Sequence, residues 1–273
     1  MTTAQSTPTL AKMALGDLIA RIRTRAGLER SGLAAAIGTD PETVRRWEIG
    51  RNAPQRSSIA GIAEAIDATP EERSRMNTLA LDAKGRGLFE GSSVPPNLRV
   101  LYESEATARL IRSLELEHIP GLLQTPEYHR TVQAALVPVD PGLSQMFRDL
   151  RTRRQEIVFA RDPLPRMQFV IGMAAMLYLD AHPVMRAGQV ERLVEVSRTP
   201  GVEIRVITGM HAGMLGSFTV LTPRRTAASA RPFAYVEGID GGRYLEGDAV
   251  SRYTTVLDTV VNDQSIELEE YLS

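Results

Sequence analysis

Three glycines at nearly even intervals most constrain how this chain can begin to fold. Gly27, Gly38 and Gly50 each follow a short run with helical apolar spacing. Glycine just past a last turn is a common helix stop, because it adopts a left-handed backbone without penalty. Before Gly27, Leu15, Leu18, Ile19, Ile22 and Ala26 fall on one helical face. The first dozen residues, small and polar, read as a loose tail. A second helix is expected over residues 30–37, with Leu33, Ala34 and Ile37 inward. The third has the clearest start: in Thr39-Asp40-Pro41-Glu42, Asp40 suits the N-cap, Pro41 the first turn and Glu42 the positive helix end. It should run to about Ile49. After Pro54, the pattern predicts helices over 57–66 and 70–83. Five short helices make residues 1–83 a compact all-α domain.

The stretch 84–97, KGRGLFEGSSVPPN, is rich in Gly, Ser and Pro and reads as a linker. Beyond it the periodicity changes. Helices are expected over 98–113, 125–135, 143–160, 183–198 and 249–261, with strands over 167–171, 202–207, 217–221, 233–237 and 243–246. Residues 98–273 thus read as a second, mixed α/β domain, and the chain as α+β.

Chemistry is bounded by what the 273 residues lack. There is no cysteine, which removes disulfides, thiolate metal sites and thiol nucleophiles. The four histidines, His118, His129, His182 and His211, are scattered without a helical metal-binding pair. Gly85, Gly87 and Gly91 lie in the linker and not after a strand, so they make no phosphate loop. No enzyme activity, cofactor or metal is expected. The N-terminus does not read as a signal peptide, and charged residues interrupt every apolar run, so a cytoplasmic protein without membrane spans is expected.

Net charge is −1 overall but uneven. Between Leu15 and Ser58 eight arginines face five acids, giving +3 and leaving −4 for the remainder. Short helices joined by a tight turn are the helix-turn-helix arrangement, whose second helix enters the DNA major groove. In the third helix Val44 and Trp47 suit the core, while Glu42, Arg45 and Arg46 suit base edges. Arg30, Arg51, Asn52 and Arg56 flank it where phosphates pass. With Asp40, Pro41 and Thr43 at the helix start, these ten residues form the expected DNA-binding surface. The run Arg148, Arg151, Arg153, Arg154 reads as salt bridges in preference to a second nucleic-acid site.

The segment LGDLIARIRTRAGLERSGLAAAIGTDPETVRRWEIGRNAP resembles the lambda-repressor-like, xenobiotic-response-element family of regulators, most closely in TVRRWEIGRNAP. It departs from the family at Arg30, where Gln is frequent, and at Pro41, where a base-reading polar residue is frequent. The resemblance implies a structural ion pair between Glu48 and Arg23. The stretches LELEHIPGLLQTPEYHR, RTRRQEIVF, GQVERLVEV, GVEIRVI, GSFTVL and FAYVEG, in that order, resemble the effector domain of WhiJ-type regulators. Together they imply a transcriptional regulator that binds a double-stranded DNA operator, with room for a small-molecule effector; because one helix-turn-helix buries little surface on DNA, a homodimer is expected. The alternative is an antitoxin-like protein that binds a small partner protein and autoregulates its own operon.

Overall fold

The computed structural model describes residues 8–84, 94, 96–135, 141–224, 231–238 and 241–273. They fall into two compact units, one drawn from Met1–Thr107 and Pro223–Arg231, the other from Ala108–Thr222 and Pro232–Ser273. Most of the expected linker lies outside the described residues.

The first unit is helical: α1 (Pro8–Arg25), α2 (Arg30–Ala36), α3 (Pro41–Glu48), a 3-10 turn at Arg56–Ser58, α4 (Ile59–Ala65), α5 (Pro70–Asp82) and α6 (Pro96–Glu105). Leu15, Leu18, Ile19 and Ile22 of α1 meet Leu33, Val44, Ile59, Ile62 and Met76 in one buried cluster. α1 begins a full two turns before the expected start: Ala11 and Lys12 are buried, and α6 packs against α1. A loose tail over the first dozen residues is therefore corrected from Pro8 onward, because tertiary packing holds a polar-looking turn in helix. Thr69 caps α5 in a reciprocal capping box with Glu72, which also receives both Nη atoms of Arg25 at 2.7 and 2.8 Å. That pair ties the end of α1 to the start of α5.

The second unit is built on a seven-stranded sheet: β1 (Ala108–Glu115), β2 (Arg166–Ile171), β3 (Val202–Ile207), β4 (Phe218–Pro223), β5 (Phe233–Gly238), β6 (Gly241–Leu245) and β7 (Ser265–Glu267), in the order 6-5-4-1-2-3-7. β1, β2 and β3 run parallel, while β4–β5, β5–β6 and β3–β7 pair antiparallel. Around it lie α7 (Pro126–Ala135), α8 (Pro141–Phe159), α9 (Met173–Asp180), α10 (Pro183–Ser197), α11 (Asp248–Asp263) and α12 (Leu268–Leu272). Leu257, Val260 and Val261 of α11 bury against Leu114, Val170, Ile207, Val220 and Ala234 of four parallel and antiparallel strands and the end of β3.

The expected helix over 98–113 is overturned. Helix α6 stops at Glu105, and ALA-ARG-LEU-ILE of the following stretch opens β1, which sits between β2 and β4. Its Leu110, Ile111 and Leu114 are spaced for either structure. Pairing on both edges, a non-local effect, decides for strand. α9, β7 and α12 carry no clear signal in the sequence. α9 (MAAMLYLD) is apolar on nearly every side and so shows no helical period.

Candidate nucleic-acid interface

Helices α2 and α3 are joined by four residues, with Gly38 at φ +67°. The amide of Thr39 reaches back to the Ala34 carbonyl at 2.9 Å, closing the end of α2. Asp40 then caps α3 twice, accepting from the Thr43 amide at 2.8 Å and from the Thr43 hydroxyl at 2.6 Å. These bonds hold the Asp40 carboxyl below its ordinary range. Pro41 occupies the first turn, where its missing N–H costs nothing. Asp40, Pro41 and Thr43 thus set the start of the helix, and Val44 anchors its underside at 0% exposure. Trp47 is half-buried against the same cluster, so it is a flank of the core and not its centre.

On the outer face one carboxylate organises two guanidinium groups. Glu42 accepts from Arg45 Nε and Nη2 at 2.6 and 2.8 Å, and from Arg46 Nε at 3.2 Å. The Arg45 hydrogen bonds, more than the weaker Arg46 contact, push the Glu42 carboxyl down to about 2. Both arginine side chains stay more than two-fifths exposed. Arg51 and Asn52 follow the helix on an exposed turn, their amides bonded to the Arg46 carbonyl, and Arg56 is exposed at the next turn.

Behind the face lies a second ion cluster. Glu48, with its side chain only 2% exposed, accepts from Arg23 Nε at 2.5 Å and from Arg30 Nε at 2.6 Å. Arg23 also donates to the Leu28 carbonyl. The Arg23–Glu48 pair joins α1 to α3, and Arg30 joins α2 to α3 through the same carboxylate. Arg30, expected beside a phosphate, therefore has its Nε committed inside the protein while 47% of the side chain is exposed.

Two features of this site escape the sequence. Gly16 lies under the end of α3: a Cβ there would stand 2.0 Å from the Trp47 carbonyl oxygen. Gly50, at φ +66°, would drive a Cβ to 2.3 Å from Met13. Nothing in the pattern of Gly16 within a helix signals that contact. The double claim on Glu42 could have been found from its i,i+3 and i,i+4 spacing to two arginines.

In the second unit the basic run is divided: Arg153 is exposed and Arg148 half-buried, while Arg151 and Arg154 turn inward. Arg151 donates to Gln124 Oε1 at 2.6 Å, Arg154 is buried, and both crowd the Cβ position of Gly121. Gln155 and Gln189 bind the carbonyls of Gly121, Leu123 and Gln124, so the 119–125 turn is held by side chains from α8 and α10. Among the described residues no group of three or more His, Asp or Glu is placed to hold a metal ion, and no helix is long and apolar enough to cross a membrane.

A four-residue turn between two short helices, the second capped and presenting two arginines outward, defines a helix-turn-helix DNA-binding module. Residues 14–76 match the family model described as a helix-turn-helix domain. Residues 98–264, more than half of the chain, match the model described as a domain of unknown function (DUF5753), and the chain belongs to that family. No curated protein and no solved structure matches it.

Proposed function

We propose that this protein is a sequence-specific transcriptional regulator of the xenobiotic-response-element type, reading an operator through α3. The observation that carries the reading is the outward group Glu42, Arg45 and Arg46, held on a helix whose start is fixed by Asp40 and Pro41. A planar guanidinium can donate twice to guanine, and a helix N-terminal half in the major groove presents such groups to base edges. Arg51, Asn52 and Arg56 supply exposed donors for phosphates beside it. The second unit acts as a WhiJ-type regulatory domain without enzymatic chemistry, serving dimerisation and effector or partner binding. One such module buries little DNA surface, so two copies on a pseudo-palindrome give useful affinity.

Footprinting on the protein's own upstream region in about 0.1 M salt tests this, since screening there suppresses distant charge attraction. A protected, two-fold repeated site is expected. Uniform, sequence-independent coverage that vanishes with added salt would overturn it.

A further inference from the structure

The open face of α3 carries three charged groups, Glu42 and, one helical turn on, Arg45 and Arg46. Its carboxylate holds the two arginines unequally. Arg45 meets it as a fork, Nε on Oε2 at 2.6 Å and Nη2 on Oε1 at 2.8 Å. Arg46 reaches the same Oε1 through Nε alone, at 3.2 Å, so its Nη groups lie outside that bond. The acids at the two ends of the helix are committed elsewhere. Asp40 caps Thr43, and Glu48 is enclosed with Arg23 and Arg30. Glu42 is therefore the open acid on the face that the DNA-binding reading turns toward the major groove. Two guanidinium groups less one carboxylate leave that face at +1.

A carboxylate is a poor neighbour for a duplex. It repels phosphates and the O6 and N7 acceptors of guanine, and in the major groove only cytosine and adenine offer it a donor. An exposed ion pair contributes little to stability, and Asp40 and Val44 already fix the helix. The effect of the trio falls on binding. Where no guanine stands within reach, Arg46 has no better acceptor than Glu42, and the face meets phosphates at +1 instead of +2. Where a guanine does, O6 and N7 together accept two bonds from Arg46 in place of one long one. The Arg45 fork meanwhile keeps the carboxylate neutralised as water leaves the groove, where a bare charge is costly. Discrimination is a difference between two affinities, and this arrangement lowers the wrong one more than the right one.

We propose that Glu42 is a specificity-determining residue that acts through the two arginines and not on a base. Arg45 is its standing counter-ion, and Arg46 is the reader that it yields to guanine. The proposal rests on the DNA-binding reading and assigns Glu42 its role within it.

The test compares the full chain and its variants on two duplexes, the footprinted operator and an unrelated sequence, over a series of salt concentrations. Glu42→Gln keeps the shape and removes the charge. It should bind the unrelated duplex about tenfold more tightly, with a salt slope steeper by about one unit, and gain less than about threefold on the operator. Glu42→Asp keeps the charge and should keep the wild-type slope. Arg45→Gln strips the carboxylate of its counter-ion and should weaken operator binding about tenfold. Adding Glu42→Gln to it should restore most of that loss, a rescue that a mere phosphate contact by Arg45 does not give. A Glu42→Gln protein that loses affinity at one base pair of the operator, with unrelated DNA unchanged, would make Glu42 a base contact and overturn the proposal. So would one that leaves both duplexes and both slopes as in the wild type, or an Arg45→Gln loss that the second substitution does not restore. A wild type that binds neither duplex overturns the DNA-binding reading and the proposal with it, whereas the other failures arise only in a protein that binds.

Discussion

Glu42 stands three residues before Arg45 and four before Arg46, and in the free protein it holds both. DNA must therefore compete for guanidinium groups that are already oriented on one face, with Arg46 the more loosely held. Arg46→Ala should cost about 1–3 kcal/mol on the best operator and flatten discrimination at one base pair, most readily a G·C pair. Arg51→Ala should weaken all sequences alike and reduce the salt slope by about one unit. Titrations against single-base operator variants at two salt concentrations separate the two. An even loss for Arg46→Ala, with a shallower salt slope, would reassign it to phosphate contact. Glu48 behaves differently because it is enclosed. Arg23→Ala removes one partner of a buried pair, a change worth roughly 3–5 kcal/mol. Arg30 keeps its bond to the same carboxylate, so the loss should fall at the lower end of that range. Urea unfolding measures it, and an unchanged midpoint would show that Arg30 alone satisfies Glu48.

At the scale of elements, the sequence speaks most clearly where local chemistry is sufficient. The start of α3 is legible because Asp40, Pro41 and Glu42 each favour it independently, and its end because Gly50 supplies the left-handed turn. β1 is not legible, because the apolar spacing in ARLIRSLE suits helix as well as strand and its state is owed to strands 56 and more residues away. α9 hides for the opposite reason: with nearly all residues apolar there is no face to detect. The extension of α1 to Pro8 depends on α6, across a sequence gap that no local pattern spans. Gly16 is the sharpest case. By propensity, Gly16→Ala within α1 should stabilise the helix by about 1 kcal/mol. The added Cβ, however, meets the Trp47 carbonyl at 2.0 Å, a backbone atom that cannot swing aside. Overpacking of this kind costs about 1–3 kcal/mol or more, so the net effect should be destabilising. A raised melting temperature for Gly16→Ala would mean that α1 and α3 separate easily.

Over the whole molecule, stability against pH is set by groups that pull in opposite directions. In the first unit Glu42 and Glu72 are both pushed down to about 2, by Arg45 and Arg25 respectively. Their contribution is present above the ordinary carboxyl range and is lost only as pH falls toward 2. In the second unit Glu115 retains a sliver of open surface, yet burial of its carboxyl pushes it up to about 7. Ser217 and Arg154 oppose the shift and Glu237 adds to it. A raised carboxyl pKa contributes stability below the unfolded value, near 4.5, that is lost as pH climbs through 7, about 3 kcal/mol in all. His129, buried with its Nδ1 unpaired, is pushed down to about 4 by burial and by Arg151 and Arg148. Its contribution is present above 6.5 and is lost as pH falls through 4, with a smaller magnitude because its burial is less complete. Between about pH 4.5 and 6.5 the two slopes have opposite sign, so the wild-type urea midpoint should change little. Glu115→Gln leaves His129 unopposed, and its midpoint should rise with pH across that window. His129→Gln leaves Glu115 unopposed, and its midpoint should fall as pH rises. If each variant simply runs parallel to the wild type, neither group titrates in the folded protein where its surroundings place it.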